Sequence, residues 1–187
     1  VEHFVSKSAM DVDGVGGKLG SSLIQSGLIS DVADIYTLRR EDLVSLERMG
    51  EKSTSNVIEA IAASKERPLS RLLVALGISH IGTEVAENIA NRFGTMDEIM
   101  KASLESFKDI PDIGPKIAES ITNYFQSTTN ILLIHKLRQA GINMNENSDI
   151  GSSEPHGQGL RDIRFGVTGR LTQFRRSETQ DQLNDIG

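Results

Sequence analysis

The stretch Ile110-Pro111-Asp112-Ile113-Gly114-Pro115-Lys116-Ile117-Ala118 decides how the rest of the chain is read. Two apolar residues flank a pair of turn formers, a glycine follows, and a helical pattern begins at once. Pro115 stands at the first helical position, where its fixed φ and missing N–H cost nothing. Gly114 has no Cβ, so a ligand can approach its backbone closely. The N–H groups of Gly114, Lys116 and Ile117 are predicted to be free donors at the positive end of a helix, with the Lys116 charge beside them. That is the make-up of an anion site.

Three more stretches repeat the pattern apolar-x-x-apolar-Gly. They are Val12-Asp13-Gly14-Val15-Gly16, Leu46-Glu47-Arg48-Met49-Gly50 and Ile78-Ser79-His80-Ile81-Gly82. The closing glycines Gly16, Gly50, Gly82 and Gly114 are spaced 34, 32 and 32 residues apart. The second and fourth repeats agree over a longer register: Ile35 with Ile99, Leu43 with Phe107, Leu46 with Ile110, Met49 with Ile113, Lys52 with Lys116, Val57 with Ile121, and Ile61 with Phe125. This implies a duplicated unit that contains two turns in each copy.

Helices are expected at His3–Met10, Gly17–Gln25, Val32–Tyr36 capped by Asp31, Arg39–Leu46 capped by Thr37, Glu51–Ser64 and Leu69–Leu76. They continue with Thr83–Phe93, Met96–Lys101 under a Thr95/Glu98 capping box, Ser103–Asp109, Pro115–Phe125 and Asn130–Ala140. Gly27, Gly77, Gly94 and Gly141 serve as stops. The nearly all-apolar Leu69–Leu76 is expected to lie buried between the two units. The segment 143–160, rich in Asn, Ser, Gly and Glu, reads as a flexible linker. Beyond it, Ile163–Gly169 alternates like a strand and Ser177–Ile186 has helical spacing. The span 161–187 is below the roughly 40 residues needed to bury a core alone, so the chain is expected to stop inside a domain.

Composition narrows the chemistry. The chain has 187 residues, 37% of them hydrophobic and only 4% aromatic, which suits small helical cores. It has no Cys, which rules out disulfides and thiolate metal sites within it. His3, His80, His135 and His156 share no metal-ligand spacing, and no Ser or Thr has a base motif. No run reaches the roughly 20 apolar residues of a membrane span, and the default location is the cytoplasm. The net charge of −6, with a pI of about 5.3, argues against a basic nucleic-acid coat but not against local phosphate contacts.

Helix, short hairpin and helix with a glycine at the second helix's start is the helix-hairpin-helix arrangement. Its functional reading is that hairpin amides grip a nucleic-acid phosphate without reading bases. The competing reading is that glycine only permits a tight interhelical turn. Candidate phosphate contacts are Gly14, Gly16, Gly17 and Lys18 in the first turn, and Arg48, Gly50 and Lys52 in the second. Gly82 is the candidate in the third, with Gly114, Lys116 and Ile117 in the fourth. The third turn, with His80 at its tip and Glu84 where the others carry Lys, is electrostatically the weakest.

Three longer strings carry a family resemblance: His3–Gly16, Leu46–Ser53 (LERMGEKS) and Arg67–Ile78 (RPLSRLLVALGI). In these the chain resembles bacterial NAD-dependent DNA ligase. The resemblance spans the part after that family's four-cysteine zinc finger. It covers the four-motif helix-hairpin-helix domain, at 1–142 here with motifs near 12–18, 46–52, 78–84 and 110–116. The opening of a BRCT domain follows at 161–187, its first strand and loop matched by Phe165–Leu171. The fold class implied is mainly α, a tandem helix-hairpin-helix followed by a linker and an incomplete α/β segment.

The resemblance implies a parent enzyme that seals nicks in duplex DNA, with NAD as AMP donor, magnesium and a structural zinc. The chain itself has no Lys-x-Asp-Gly nucleophile motif and no zinc cysteines, so it is expected to be catalytically silent and to need no cofactor of its own. Its expected partners are nicked duplex DNA, gripped across the minor groove, and the parent's catalytic, OB and zinc-finger domains. Thr168 and Gly169 match positions of a BRCT phosphate pocket. The alternatives are a helix-hairpin-helix region of another repair protein, such as the excinuclease C subunit, or a protein-interaction scaffold.

Overall fold

A computed structural model describes residues 1–47 and 49–146. Arg48, the expected linker beyond residue 146, the BRCT-like segment 161–187, and Thr168 and Gly169 within it lie outside the described residues. The described chain is helical throughout, with an isolated bridge between Thr95 and Asn145.

In chain order the helices are α1 (Glu2–Val5), α2 (Gly17–Gln25), a 3₁₀ turn (Val32–Thr37), α3 (Arg40–Val44), α4 (Glu51–Ser64) and α5 (Leu69–Ala75). Then come α6 (Thr83–Phe93), α7 (Met96–Lys101), α8 (Leu104–Lys108), α9 (Pro115–Gln126) and α10 (Thr128–Gln139). The duplication is visible in these bounds. An offset of 64 residues takes the N-cap residues Asp31, Arg39 and Gly50 onto Thr95, Ser103 and Gly114, and takes α3 onto α8 end for end. The matched apolar residues are buried in both copies: Ile35 and Ile99, Leu43 and Phe107, Val57 and Ile121, Ile61 and Phe125.

Helix α5 packs against α6 and α1 and buries every residue but Arg71, as its sequence predicts. Arg71 is recruited too. Its guanidinium donates to the carbonyls of Ala9 (2.7 Å) and Lys7, and Arg67 pairs with Asp11 at 2.6 Å. Arg67, in a mixed-charge run that by composition reads as a solvated face, therefore helps hold the entry to the first hairpin.

That entry departs from expectation. The helix foreseen over His3–Met10 stops at Val5, and the chain turns so that Met10 N–H donates to the Phe4 carbonyl and Val12 N–H to the Val5 carbonyl. The carbonyls of Lys7 and Ala9 face Arg71 rather than continuing a helix. Thr37 does not cap α3: its hydroxyl donates back to the Asp34 carbonyl (2.8 Å), and the Asp42 carboxylate accepts from Arg39 N–H (2.8 Å) at the helix start. Thr95 accepts from Glu98 N–H, but the reciprocal half of the box is missing because the Glu98 carboxylate pairs with Lys101. The four stop glycines all adopt positive φ, between 66° and 84°.

Asn143 to Glu146, where the linker pattern begins, are tied to the helices. Asn143 N–H donates to Lys65 O (2.8 Å), Leu69 N–H to Asn145 O (3.1 Å), Met96 N–H to Met144 O (2.9 Å) and Glu146 N–H to Gly94 O (2.9 Å). Met144 is buried beneath this strap.

Candidate nucleic-acid interface

All four hairpins are built alike. The second apolar residue donates its N–H to the carbonyl of the first: Val15 to Val12 at 3.3 Å, Met49 to Leu46 at 3.2 Å, Ile81 to Ile78 at 3.1 Å and Ile113 to Ile110 at 3.2 Å. The residue just before the second apolar one has positive φ in three of them, at Gly14 (82°), His80 (69°) and Asp112 (65°). The residue ahead of it does not, and this combination defines a type II turn. His and Asp are among the non-glycine residues best able to occupy that region, which explains how the third and fourth turns dispense with glycine there. Both apolar residues face the core, so the turn is pinned from beneath.

Each turn delivers a glycine as the N-cap of a helix of at least nine residues: Gly16 for α2, Gly50 for α4, Gly82 for α6 and Gly114 for α9. Their φ values of −74°, −85°, −94° and −78° suit any residue. Among the described residues, a Cβ added at any of the four meets nothing within 4 Å. Neither backbone conformation nor internal packing therefore requires glycine at these four places. Gly14 is different: at φ 82° a Cβ there comes within 2.9 Å of Val57 Cγ2 on α4. Its reason is internal.

The junction amides are open. Among the described residues, the N–H groups of Gly16, Gly17, Lys18, Gly50, Lys52, Gly82, Gly114 and Lys116 have no acceptor. Ile117, expected to be a further donor, has its N–H on the Gly114 carbonyl at 3.1 Å, so the fourth junction offers two amides rather than three. No side chain caps these helices, in contrast to Asp31, Thr95 and Ser103 elsewhere.

Arg40, Arg67, Lys101, Lys108, Lys136 and Arg138 are all in ion pairs. Lys18, Lys52 and Lys116 are exposed and make no ion pair among the described residues. Lys7, Arg39 and Arg92 are also exposed without an ion pair among the described residues, away from the four junctions. Asp13 accepts from Gly14 N–H (2.9 Å) within its own turn, and Asp11 belongs to Arg67.

The first two hairpins share a groove of about 680 Å³ that brings Gly17, Lys18 and Leu19 of α2 opposite Leu46 and Met49. Ser21, Ser22, Glu2 and Glu47 complete its walls. Sequence spacing finds the hairpins but not this pairing, nor the serines one turn into α2, because neither carries a repeat signal.

Residues 6–63 match a family described as a SAM-like helix-hairpin-helix tandem, and residues 71–134 match the helix-hairpin-helix motif. A protein of Halothermothrix orenii named DNA ligase is 45% identical over 185 residues, 99% of this chain and 27% of that protein. One of Thermoanaerobacter sp. is likewise 45% identical over 185 residues, and one of Dehalococcoides mccartyi is 40% identical over 188, both also named DNA ligase. The chain thus spans 27% of the length of these curated relatives.

Proposed function

We propose that this chain, a helix-hairpin-helix segment homologous to one part of the DNA ligases, binds the phosphate backbone of duplex DNA without reading its sequence. The observation that carries this reading is the recurrence of glycine at four helix starts where nothing among the described residues calls for it. A bare backbone with outward amides at a positive helix end is what close contact with a phosphate needs. Lys18, Lys52 and Lys116 supply unpaired charge beside three of the junctions, and Arg48 is the proposed cation of the second turn. Two hairpins in one unit suit the two strands that border a minor groove, and this is how the segment is read to hold DNA around a nick.

The parent protein is read as a nick-sealing, NAD-dependent ligase, supported by the Leu46–Ser53 and Arg67–Ile78 strings and by the names of its relatives. NAD, magnesium and zinc fall, on this reading, to parts of the relatives that lie outside the matched span. The chain's own task is to grip.

Titration of the protein against nicked duplex, intact duplex and single-stranded DNA, at low and moderate salt, tests the proposal. Salt-sensitive binding that favours duplex is the expected result, with nicked duplex bound at least as tightly as intact. No binding at low salt would mean that the hairpins are interhelical turns of a protein-docking scaffold.

A further inference from the structure

An offset of 66 residues maps the first hairpin onto the third: Val12 onto Ile78, Val15 onto Ile81, Gly16 onto Gly82 and Leu23 onto Ile89. The turn hydrogen bond and the extended glycine N-cap are preserved, while the first helical residue differs, Gly17 having φ 47° where Thr83 has no positive φ. One chemical difference stands out, because the residue two places into the helix is Lys18 in α2 and Glu84 in α6. A carboxylate at that point lies in the favourable field of the helix's positive end. Helix α6 therefore carries its own anion at the place where α2 presents a cation.

The second hairpin shows how such an anion is neutralised elsewhere in the fold. Glu51, the first residue of α4, is held by Arg40 at 2.8 Å. Glu84 is exposed and has neither ion pair nor hydrogen bond among the described residues. The first unit thus presents Lys18 and Lys52 to a ligand, with Glu2 and Glu47 on the wall of the Lys18 groove, and the second presents Lys116 together with a Glu84 seated at the helix start itself.

We propose that Glu84 sets the grip of the second unit, making it the weak and readily released half of an asymmetric clamp whose anchoring half is the first unit. The inference rests on the phosphate-binding reading above. A fixed carboxylate repels a phosphate that approaches the same amides, and replacing it removes that repulsion.

The test is fluorescence anisotropy with a labelled nicked duplex across a salt series. The proteins compared are the unaltered chain, Glu84→Gln, Glu84→Lys, Lys18→Ala and Glu66→Lys. Glu66 is exposed beyond the far end of α4, so its reversal controls for net charge. Glu84→Gln should bind a few-fold tighter. Glu84→Lys should bind about tenfold tighter, with the slope of log K against log salt steeper by about 0.9, the value of one added phosphate contact. Glu66→Lys should change neither quantity by a comparable amount.

If Glu66→Lys tightens binding as much as Glu84→Lys, the effect is one of net charge and the proposal is overturned. If Lys18→Ala weakens binding while both Glu84 variants behave like the unaltered chain, the proposal also fails, but the phosphate reading stands. If Lys18→Ala is silent as well, the phosphate reading itself has failed. Thermal melting of each variant confirms that the fold is intact.

Discussion

The Glu146 carboxylate accepts two hydrogen bonds from Ser70, one from the backbone N–H at 2.6 Å and one from the hydroxyl at 2.8 Å. Ser70 lies in the first turn of α5, which has no side-chain cap of its own, so this helix is capped from a point 76 residues away in the chain. The same strap receives Leu69 N–H and Met96 N–H, satisfying the starts of α5 and α7 together. The residues after α10 thereby bind the middle helix of the fold to the second unit.

Glu146→Ala should therefore destabilise the fold by about 1–2 kcal/mol, the range for losing a charged cap on otherwise open helix donors. Urea unfolding followed by circular dichroism measures it. A chain ended at residue 142 should lose more, because burial of Met144 goes with the strap.

Gly14 and Gly50 should respond oppositely to alanine. At Gly14 the positive φ and the 2.9 Å approach to Val57 Cγ2 predict a loss of about 1–3 kcal/mol in stability. Gly50→Ala meets open space at an ordinary φ, so its folding cost should stay below about 1 kcal/mol. DNA affinity should nonetheless fall several-fold. Paired melting and binding curves decide, and a Gly50→Ala protein that binds like the original removes the main argument for phosphate contact at that junction.

Lys18→Ala and Lys116→Ala should each weaken duplex binding and flatten the salt dependence by about 0.9 in log–log slope. Lys101→Ala, whose ammonium is engaged with Glu98, serves as the comparison and should leave the slope alone. Equal slopes in all three proteins would argue against phosphate roles for Lys18 and Lys116.

Thr54 is fully buried on α4 and its hydroxyl has no hydrogen-bond partner among the described residues. The duplicate position, Ala118, is equally buried without a hydroxyl. An unsatisfied buried hydroxyl carries a desolvation cost, so Thr54→Val should raise stability by up to about 1 kcal/mol. A clear drop in the denaturation midpoint would show that the hydroxyl is satisfied in solution.

Stability should decline in acid through Asp34 and Asp97. The Ser30 N–H, at 2.7 Å, is the main cause holding Asp34 below the usual carboxylate range, with Asp31 N–H and Lys136 adding to it. The Arg138 guanidinium does the same for Asp97. A carboxylate depressed in the folded state contributes stability above its unfolded pKa of about 3.9 and loses it as pH falls through the lower folded value. Urea midpoints measured from pH 7 down should hold above about pH 5 and drop below pH 4. The drop should be shallower in Asp34→Asn, which starts less stable.

Much of the fold is legible in the sequence because its determinants are local. The apolar-x-x-apolar-Gly turns, the 64-residue register and the stop glycines depend on neighbours within one turn, and the helices after α1 fall close to where spacing puts them. Even the suspicion that Gly114 is free for a ligand is available from Pro115 and Lys116 beside it. Contacts at long range are another matter. Nothing near Arg71 in sequence reveals that it holds the Lys7 and Ala9 carbonyls, the contact that accompanies the early end of α1. Nor does anything near Glu146 show that it caps α5, in a stretch whose composition reads as linker. Most of all, only the folded backbone shows that Gly14 is glycine for internal reasons while Gly16, Gly50, Gly82 and Gly114 are not. The distinction lies in φ and in the space around an absent Cβ, and both are set by how the helices pack.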